Sequence, residues 1–494
     1  MLGAPGSRSA DARRGPAARG VYMPRRPQAS PRFRPVSDHL HRLQTVYDER
    51  FAREYDPWRP VVGHVTDKFL ACGVLDHGFA RIRCDARTHE YLLAFSCKCR
   101  YFCPSCDAKR LAIWTHWLDT TLLAPAPHRQ VVLTIPKRLR AYCLYRRRLL
   151  GEIARVAART VTAAIRTLSG ERELAVGIVA CFQTHGSRAN WHPHLQLLVT
   201  DDGFRPNGTF VTWPVHDTAR LTEVFRRAVI RLFVRLELFD QEQAAGMLKW
   251  PHSGFHVHTV VWVPEDDRAF ATRLARYCAR NPVALERQKY DRTAKAVTYH
   301  SDNSEGPTAG TETADPLEFL ARVLVHIPDK GHVTTRYYGW YANRPRGMRR
   351  QAESVALEAP PVILPAPRLA PTEASRRWAA LLQQIFEVDP LACPACQSAM
   401  RIVAFITQTA VIDRILTHLR TRAARAAHAG ARSPHRRGPA RAGARHAPHA
   451  RPPTPRLPPE DAPPDAPRPR GAVRRARPSH RRVRSVPAGF GPPP

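Results

Sequence analysis

The segment ANWHPHLQLLVTDD, residues 189–202, carries the side chains whose spacing most directly predicts chemistry. Side chains alternate between the two faces of a strand, so His194 and Gln196 point to the same side as His192, and the leucines between them point to the other. An imidazole nitrogen and an amide oxygen, joined by a group from a neighbouring strand such as Gln183, can hold a divalent ion and leave positions for phosphate oxygens. Histidines near a strand end are also common at surfaces and in satisfied cores, so both interpretations stay open.

A second histidine pair, His256 and His258 in FHVHTVVWVP, also falls on one strand face. The surrounding sequence adds no further ligand to it. We therefore expect that this pair resembles the metal site in sequence only and is not part of it.

Cysteines form a second candidate site, because six of the eleven lie between Cys72 and Cys106. Cys103 and Cys106 have the C-x-x-C spacing at which a tight turn aims two thiolates at one tetrahedral zinc ion. The upstream candidates that complete the site are Cys84, Cys97, Cys99 and His89, with Cys72 more distant. We expect Cys84 and Cys97 to join the pair around a structural zinc, with buried free thiols as the plain alternative.

A further C-x-x-C pair, Cys393 and Cys396, stands alone in DPLACPACQSAM. One such spacing fits a zinc turn and fits an ordinary turn equally. Both interpretations stay open.

Hydrophobic periodicity predicts the elements that position these residues. The predicted helices cover 39–55, 147–168, 219–238 and about 266–280, and the predicted strands cover 129–136, 174–186, 192–200 and 255–264. A turn at GSRAN makes a hairpin of the second and third strands, and the third is expected to run into an acidic turn. This order indicates an α+β fold, a palm with a mainly antiparallel sheet and flanking helices, after a small zinc-binding domain.

Charge points to nucleic acid as the partner. The chain has 77 Lys and Arg against 42 Asp and Glu, a net charge of +35. Such an excess matches polyphosphate. No apolar run reaches the roughly 20 residues that span a bilayer, and no secretory signal is recognisable, so we expect a cytoplasmic protein.

The segment TTRYYGWYANRPRGMRR, residues 334–350, interleaves aromatic and basic side chains. In a groove for single-stranded DNA, bases stack on aromatic rings while arginines follow the phosphates. The candidate DNA-binding residues here are Arg336, Tyr337, Tyr338, Trp340 and Arg346. The plain alternative is an aromatic core strand that ends in a solvated basic loop.

Composition and motifs together lead us to expect five segments along the chain. Residues 1–20 are a disordered lead-in, 21–120 a helical and zinc-binding DNA-binding domain, 121–310 the catalytic domain, 311–420 a basic and aromatic segment with the lone C-x-x-C, and 421–494 a disordered tail. The tail is rich in arginine and proline, a composition that cannot bury a core.

Four blocks in this order resemble the rolling-circle insertion-sequence transposases of the IS91 type. They are QTHGSRANWHPHLQLLVTDDGF, LARYCARNPVALERQKY, PLEFLARVLVHIPDKGHVTTRYYGWYANRPRG and FEVDPLACPACQSAMRIVAFI. The resemblance covers about residues 21–420. It implies an N-terminal zinc-binding domain, an HUH-type nuclease palm with a metal-binding His-hydrophobic-His strand, and a tyrosine that forms a covalent 5′-phosphotyrosine.

Carried onto this chain, the metal pair falls on His194 and Gln196, with Mg²⁺ or Mn²⁺ as the catalytic ion. Gln196 replaces the second histidine of the motif, and an amide oxygen can still serve as a ligand. The tyrosine falls on Tyr277. The place of a second tyrosine is Arg273, so the chain resembles the single-tyrosine branch, and Arg87 stands where the first zinc knuckle has a cysteine.

Arg273, Arg276 and Arg280 surround Tyr277 in the sequence, and cations there favour the phenolate and hold a phosphate. The resemblance therefore implies a metal-dependent transposase that nicks and joins single-stranded DNA at element ends, associated with the bacterial nucleoid. Two alternatives stay open. One is a decayed, non-catalytic zinc protein that binds DNA, and the other is a nuclease that uses water.

Overall fold

The computed structural model describes residues 27–355 and 391–431, apart from 88, 100, 213–216, 302, 304 and 307. The chain divides into compact units 1–428 and 429–494, and the core and sites described below belong to the first. The predicted lead-in lies outside the described residues. A helix runs through the first part of the predicted tail to Ala431, and the rest of the predicted tail lies outside the described residues.

The predicted α+β fold is confirmed. The helices are α1 (Phe33–Arg50), α2 (Ala52–Tyr55), α3 (Pro60–Leu70), α4 (Pro104–Trp117), α5 (Lys137–Tyr145), α6 (Arg148–Ser169), α7 (Thr218–Arg235), α8 (Gln241–Leu248), α9 (Arg268–Cys278), α10 (Pro316–Leu324), α11 (Asn343–Val355) and α12 (Thr409–Ala431). The strands are β1 (Phe79–Cys84), β2 (Glu90–Ala94), β3 (His128–Thr134), β4 (Ala175–His185), β5 (Trp191–Phe204), β6 (Phe210–Thr212), β7 (His256–Val263), β8 (Gln288–Asp291), β9 (Ala296–His300), β10 (Thr311–Ala314), β11 (Thr335–Gly339) and β12 (Met400–Ile406).

The central sheet has the strand order β11-β4-β5-β3-β7, with β6 paired to β5, and each of its pairings is antiparallel. The predicted hairpin of β4 and β5 is present. The acidic turn after it was a wrong prediction, because Asp201 and Asp202 remain in β5. Arg129 on β3 donates two hydrogen bonds, of 2.7 and 2.9 Å, to the Asp201 carboxylate, and this pairing lets a charged residue stay in a buried strand.

One face of the sheet carries the largest core, against α6 and α7. Along α6, apolar residues at intervals of three and four make one face of the helix, which includes Leu150, Ile153 and Val161. They pack with the sheet residues Ile178 and Leu197 in one buried cluster. Because this core takes the apolar side chains on one side of β4 and β5, the side chains on the other side of these strands lie on the opposite face of the sheet.

The opposite face is covered by α9. Ala275 and Cys278 of α9 are buried against Val179 and Leu198 of the sheet. The helix begins at a capped end, where the Asp267 carboxylate accepts from the Phe270 backbone N–H.

The N-terminal helices form a further layer with a later part of the chain. Phe69 and Phe102 share a buried cluster with Phe319 and Leu320 of α10. Arg32, at 1% exposure, donates to the carbonyls of Phe102 and Val283 and to the Gln288 side chain. Residues 283–327 thus pack with the zinc-binding region, across the boundaries predicted at 120 and 310.

A three-stranded ribbon joins two distant segments, in the order β12-β1-β2. Cys84 at the end of β1 is opposite Met400 at the start of β12. Helix α12 adds Ile412 and Leu416 to a small cluster around Phe79. No helix in the described ranges is both long and apolar enough to cross a bilayer.

Two buried histidines are held in their neutral form. His128 Nε2 accepts from the Tyr341 hydroxyl at 2.7 Å, and His326 accepts from Thr184 while its Nε2–H donates to the Ala189 carbonyl at 2.7 Å. Burial lowers the pKa of each of them to about 4, from an ordinary value of 6.5. Protonating either imidazole would place a positive charge in a buried position out of contact with water, which is why its pKa is lowered.

The free energy of unfolding should therefore fall in acid. The folded pKa lies below the unfolded one, so the unfolded chain binds more protons between pH 6.5 and 4, and each histidine removes about 1.4 kcal/mol of stability per pH unit through that window. Urea unfolding at pH 7, 6 and 5 should show this loss, and His128→Asn should reduce its slope. His41→Asn, at an exposed position, is the control, and an unchanged slope in His128→Asn would contradict the argument.

Candidate active site and metal clusters

His194 lies on the α9 face of the sheet with a fixed tautomer. It is opposite Gln183 on β4 and Thr134 on β3. Its Nδ1–H donates to the His192 carbonyl at 2.9 Å, which leaves the Nε2 lone pair available to a ligand. Burial lowers the pKa of His194, against the opposing effect of this hydrogen bond, and keeps the ring neutral at pH 7.

Gln183 connects this position to α9. Its Nε2 donates to the carbonyl oxygens of Tyr277, at 2.9 Å, and Cys278, at 3.1 Å. Its Oε1 is buried and has no hydrogen-bond partner within the part of the chain that the structure describes. A buried acceptor without a partner costs about 1–3 kcal/mol, so a cation or a donor at this oxygen would be stabilised.

Gln196 occupies the other position of the predicted metal pair. The side chain is buried, and its Oε1 accepts from the Gln130 Nε2 at 2.8 Å. Because Gln196 is two residues from His194 on β5, both lie on the same face. The amide oxygen of Gln196 therefore already has a partner, which an ion would have to share or displace.

Tyr277 lies near the C-terminal end of α9 and is 46% exposed. The Arg280 guanidinium carbon is 4.6 Å from the centre of the phenol ring. Arg273 and Arg276 are exposed on the same helix. A phosphate that approaches the phenol thus meets several positive charges.

The set-aside pair His256 and His258 lies on the face that carries His194. Thr134 on β3 is opposite both His194 and His256, which places His256 two strands, or about 10 Å, from His194. Both histidines of the pair are exposed, and their rings are stacked with centres 5.4 Å apart. Periodicity along one strand does not predict the register across β3, and that register is what shows the common face.

His185 is a residue that sequence reasoning missed. It is two residues from Gln183, is buried, and neither ring nitrogen has a hydrogen-bond partner among the described residues. Burial, then the neighbouring His326 and Arg280, hold its pKa well below 6.5. It lines a cavity with Arg110, Arg147 and His332. The sequence QTH could have indicated His185, because a residue two positions after Gln183 in a predicted strand is expected on the same face.

The aromatic part of segment 334–350 packs inside the protein. Trp340 lies between the Phe204 ring, stacked at 4.1 Å, and the Arg349 guanidinium, 3.7 Å from the ring centre. The Tyr337 hydroxyl accepts from Trp114 Nε1 at 2.7 Å. These half-buried rings have internal partners, which favours the plain alternative of an aromatic core strand, and stacking of DNA bases on them stays a prediction.

The remaining residues of this segment that were predicted to contact DNA also pack against other parts of the protein. Tyr338 packs against the main core with its hydroxyl buried, and Arg346 lies over the rings of Trp117 and Tyr337. Arg336 lies beside α6, where a Cβ on Gly151 would come within 2.7 Å of its guanidinium. Of the predicted DNA contacts, the exposed ones are those on α9.

Four thiols converge in the N-terminal region, namely those of Cys72, Cys97, Cys103 and Cys106. Three of the sulfur–sulfur distances are 3.6, 3.7 and 3.8 Å. Zn–S bonds of about 2.3 Å in a tetrahedron place sulfur atoms about 3.8 Å apart, so the cluster fits a structural zinc ion. Cys103 and Cys106 belong to the start of α4, where Pro104 is the first helical residue.

The fourth thiol is Cys72, which follows α3, and Cys84 lies elsewhere. Cys84 forms a separate group with Cys393 and Cys396, whose sulfur atoms all lie within 4.8 Å of one another. Distance along the chain misled the sequence prediction here, because the β1–β2 hairpin carries Cys84 away from the other thiols. Cys99 is also outside the first group, and its Sγ contacts the Cys97 carbonyl.

Two ranges of the chain match families of known proteins. Residues 43–135 match the family described as transposase zinc-binding domain, and residues 177–348 match the family described as putative transposase. The first range contains the four-thiol cluster, and the second runs from β4 to α11. No solved structure matches the chain.

Two curated relatives extend the likeness over most of the chain. A transposase for insertion sequence element IS801 from Pseudomonas savastanoi pv. phaseolicola is 27% identical over 376 residues, 71% of this chain and 85% of the relative. A putative transposase, y4qJ, from Sinorhizobium fredii is 28% identical over 345 residues, 65% of this chain and 83% of the relative.

Replacing Gln183 with Met should destabilise the fold by about 1–3 kcal/mol, because the buried Cys278 carbonyl loses its Gln183 donor and the Tyr277 carbonyl keeps the Arg280 N–H. Urea unfolding measures the change. Gln241→Met, at an exposed position, is the matched control and should leave the midpoint unaltered. Equal midpoints for both variants would show that Gln183 does not anchor α9.

Proposed function

Because the chain belongs to the IS91-type insertion-sequence transposases, we propose that it nicks and joins single-stranded DNA through a covalent bond between Tyr277 and a 5′ phosphate during rolling-circle transposition. The observation that carries this proposal is the Gln183 side chain. It is opposite His194 on the sheet and is hydrogen-bonded to the backbone of Tyr277. The candidate nucleophile and the candidate metal ligand are thus joined through one residue.

In the proposed reaction the Tyr277 oxygen attacks a phosphorus atom of the DNA strand. The new O–P bond forms as the bond from phosphorus to the 3′ oxygen breaks, the phenol loses its proton, and the departing 3′ oxygen takes one up. A 3′ hydroxyl then reverses these changes on the same or another strand. The phosphodiester energy is kept in the protein–DNA bond, so joining needs no nucleotide triphosphate.

The residues of the chain hold and orient the reacting groups. Arg280 lies over the phenol ring, where its charge attracts a phosphate that approaches Tyr277. Arg273 and Arg276 supply further charge on the exposed surface of α9. Gln183 fixes the helix end, so the phenol has a defined position relative to the sheet.

The proposed seat for Mg²⁺ or Mn²⁺ uses the His194 Nε2 and the Gln183 Oε1, with Gln196 as the remaining candidate ligand. The first atom has a free lone pair, and the second is buried without a partner among the described residues. When bound, such an ion polarises the phosphate and stabilises the charge that develops in the transition state. Both donors are neutral, so the seat leaves the ion's charge available to phosphate oxygens.

Single-stranded DNA in the nucleoid, within the cytoplasm, is the proposed partner. The net charge of +35 supports a polyanionic partner, and the exposed arginines of α9 support phosphate contacts beside Tyr277. Since the rings of 337–341 are packed internally, the proposed contacts rest on charge more than on base stacking.

One observation favours the non-catalytic alternative, a DNA-binding protein derived from a transposase. The Gln196 oxygen is satisfied by Gln130 in place of an ion. If this pair persists with DNA and metal present, the seat has two protein ligands, and strand cleavage would be lost while binding remained.

The Tyr277→Phe variant should form no covalent DNA adduct, because the attacking oxygen is absent. The probes are 3′-labelled single-stranded oligonucleotides that tile both flanks of the coding sequence, incubated with Mn²⁺ and run on denaturing gels. The wild-type chain should give a labelled, protein-linked band. Tyr145→Phe is the matched control, since Tyr145 is 51% exposed on another helix, and it should keep the band.

The outcomes of this test separate the three hypotheses. Cleavage without a linked band in both wild type and Tyr277→Phe would favour a water-using nuclease. Binding without cleavage by either protein would favour the non-catalytic alternative.

The His194→Ala variant should reduce nicking roughly 10²–10³-fold, the usual cost of removing one group that stabilises the transition state. Retention of the same oligonucleotides on a filter should remain near the wild-type level, because His194 is half-buried and the exposed arginines are unchanged. His300→Ala, on an exposed position of β9, is the control. A parallel loss of retention would count against a catalytic role.

A further inference from the structure

A second thiol group lies at one end of the β12-β1-β2 ribbon, apart from the four-thiol cluster. The sulfur atoms of Cys84, Cys393 and Cys396 lie within 4.8 Å of one another, and those of Cys84 and Cys396 are 3.6 Å apart. All three cysteines are free thiols. The short separation agrees with the edge of about 3.8 Å expected for sulfur atoms around one zinc ion.

The backbone around these sulfurs has the form of two facing metal-binding turns. On one side, the backbone N–H groups of Ala86 and Arg87 donate to the Cys84 sulfur. On the other side, the Gln397 N–H donates to the Cys393 carbonyl at 2.8 Å, and Gln397 has a left-handed φ of 58°. Tight turns of this kind are the backbone setting in which neighbouring cysteines share one zinc ion.

We propose that Cys84, Cys393 and Cys396 hold a second zinc ion, which fastens the C-terminal segment 391–431 to β1. Within the described ranges, no His, Asp or Glu atom completes this group. The nearby carboxylate of Asp85 is paired with Arg401 at 2.7 Å. Water or another small ligand takes the fourth coordination position.

Arg87 explains the missing fourth thiolate. In a C-x-x-C turn the second sulfur comes three residues after the first, and position 87 has this relation to Cys84. The Arg87 side chain is exposed, so a shorter side chain there would have room. The ribbon thus keeps the backbone of a four-ligand site with three of its sulfur ligands.

The β12-β1-β2 ribbon requires a stabilising cross-link, because the two hydrophobic clusters that it forms are small. One cluster buries Ile82 and Met400 with two of the cysteines, and the other buries Phe79 with Ile412 and Leu416. Cores of this size rarely hold a fold without a metal or a disulfide. The two sides of the proposed site are 312 residues apart in the chain, so the ion would close a very long loop.

Zinc content of the full-length protein tests the proposal, independently of any DNA chemistry. Wild type purified with zinc should carry two ions per chain by mass spectrometry of the metal. Cys396→Ser should carry one, and Cys143→Ala, at a buried thiol outside both clusters, should carry two. One ion in wild type, unchanged in Cys396→Ser, would overturn the proposal, and so would iron in place of zinc.

The Arg87→Cys variant tests the same site by gain of a ligand. With a fourth thiolate, the second zinc should be released to EDTA at least about tenfold more slowly, a lower bound taken from the effect of groups that only support metal ligands. Release of the first zinc should not change. Arg83→Cys, on the exposed face of β1, is the matched control. Equal release rates for both variants would refute the proposed place of the ion.

Discussion

The register of β4 against β5 is the constraint on which the candidate site depends. It places Gln183 opposite His194, and the same pairing turns Ile178 and Leu197 into the core under α6 and α7. A shift of one residue would exchange the faces, bury the imidazole in that core and expose the leucines. The apolar face therefore holds the polar face in position. Gln183 extends this effect to α9 through its two hydrogen bonds to backbone carbonyls.

Local periodicity was enough to predict the elements that carry the site, because α6, β4, β5, α7, β7 and α9 lie within a few residues of the predicted ranges. What failed depends on partners far along the chain. Asp201 has the residue type of a turn, and its hydrogen bond from Arg129, 72 residues earlier, is what keeps it in the strand. Cys72 is distant from Cys103 along the chain, and the fold of α3 brings the two thiols together. The aromatic segment has the composition of a DNA groove, and the contact between Trp340 and Phe204, which favours the core-strand alternative, cannot be read from the sequence.

The chain after α9 returns to the N-terminal layer, and this path ties the zinc-binding region to Tyr277. Arg32 donates to the carbonyl of Val283, only six residues after Tyr277, and to Gln288 at the start of β8. The four-thiol cluster and Phe102 belong to the same buried cluster as Val283. Helix α9 is thus held by the sheet on one side and by the zinc-binding layer at its end. Loss of the structural zinc would loosen the second of these supports.

Electrostatics in the proposed site favour an ion that arrives together with DNA. Gln183 and Gln196 carry no charge, and burial keeps His194 neutral, so these ligands offer dipoles and a lone pair to a divalent cation but no compensating negative charge. Arg140 and Arg280 are near enough to lower the pKa of His194, and their charge also opposes a bare cation. In the proposed site a DNA phosphate would change this balance, because it would neutralise the arginines and could offer anionic oxygens to a divalent ion. Under the proposed function, substrate and ion would therefore each make the other's binding more favourable.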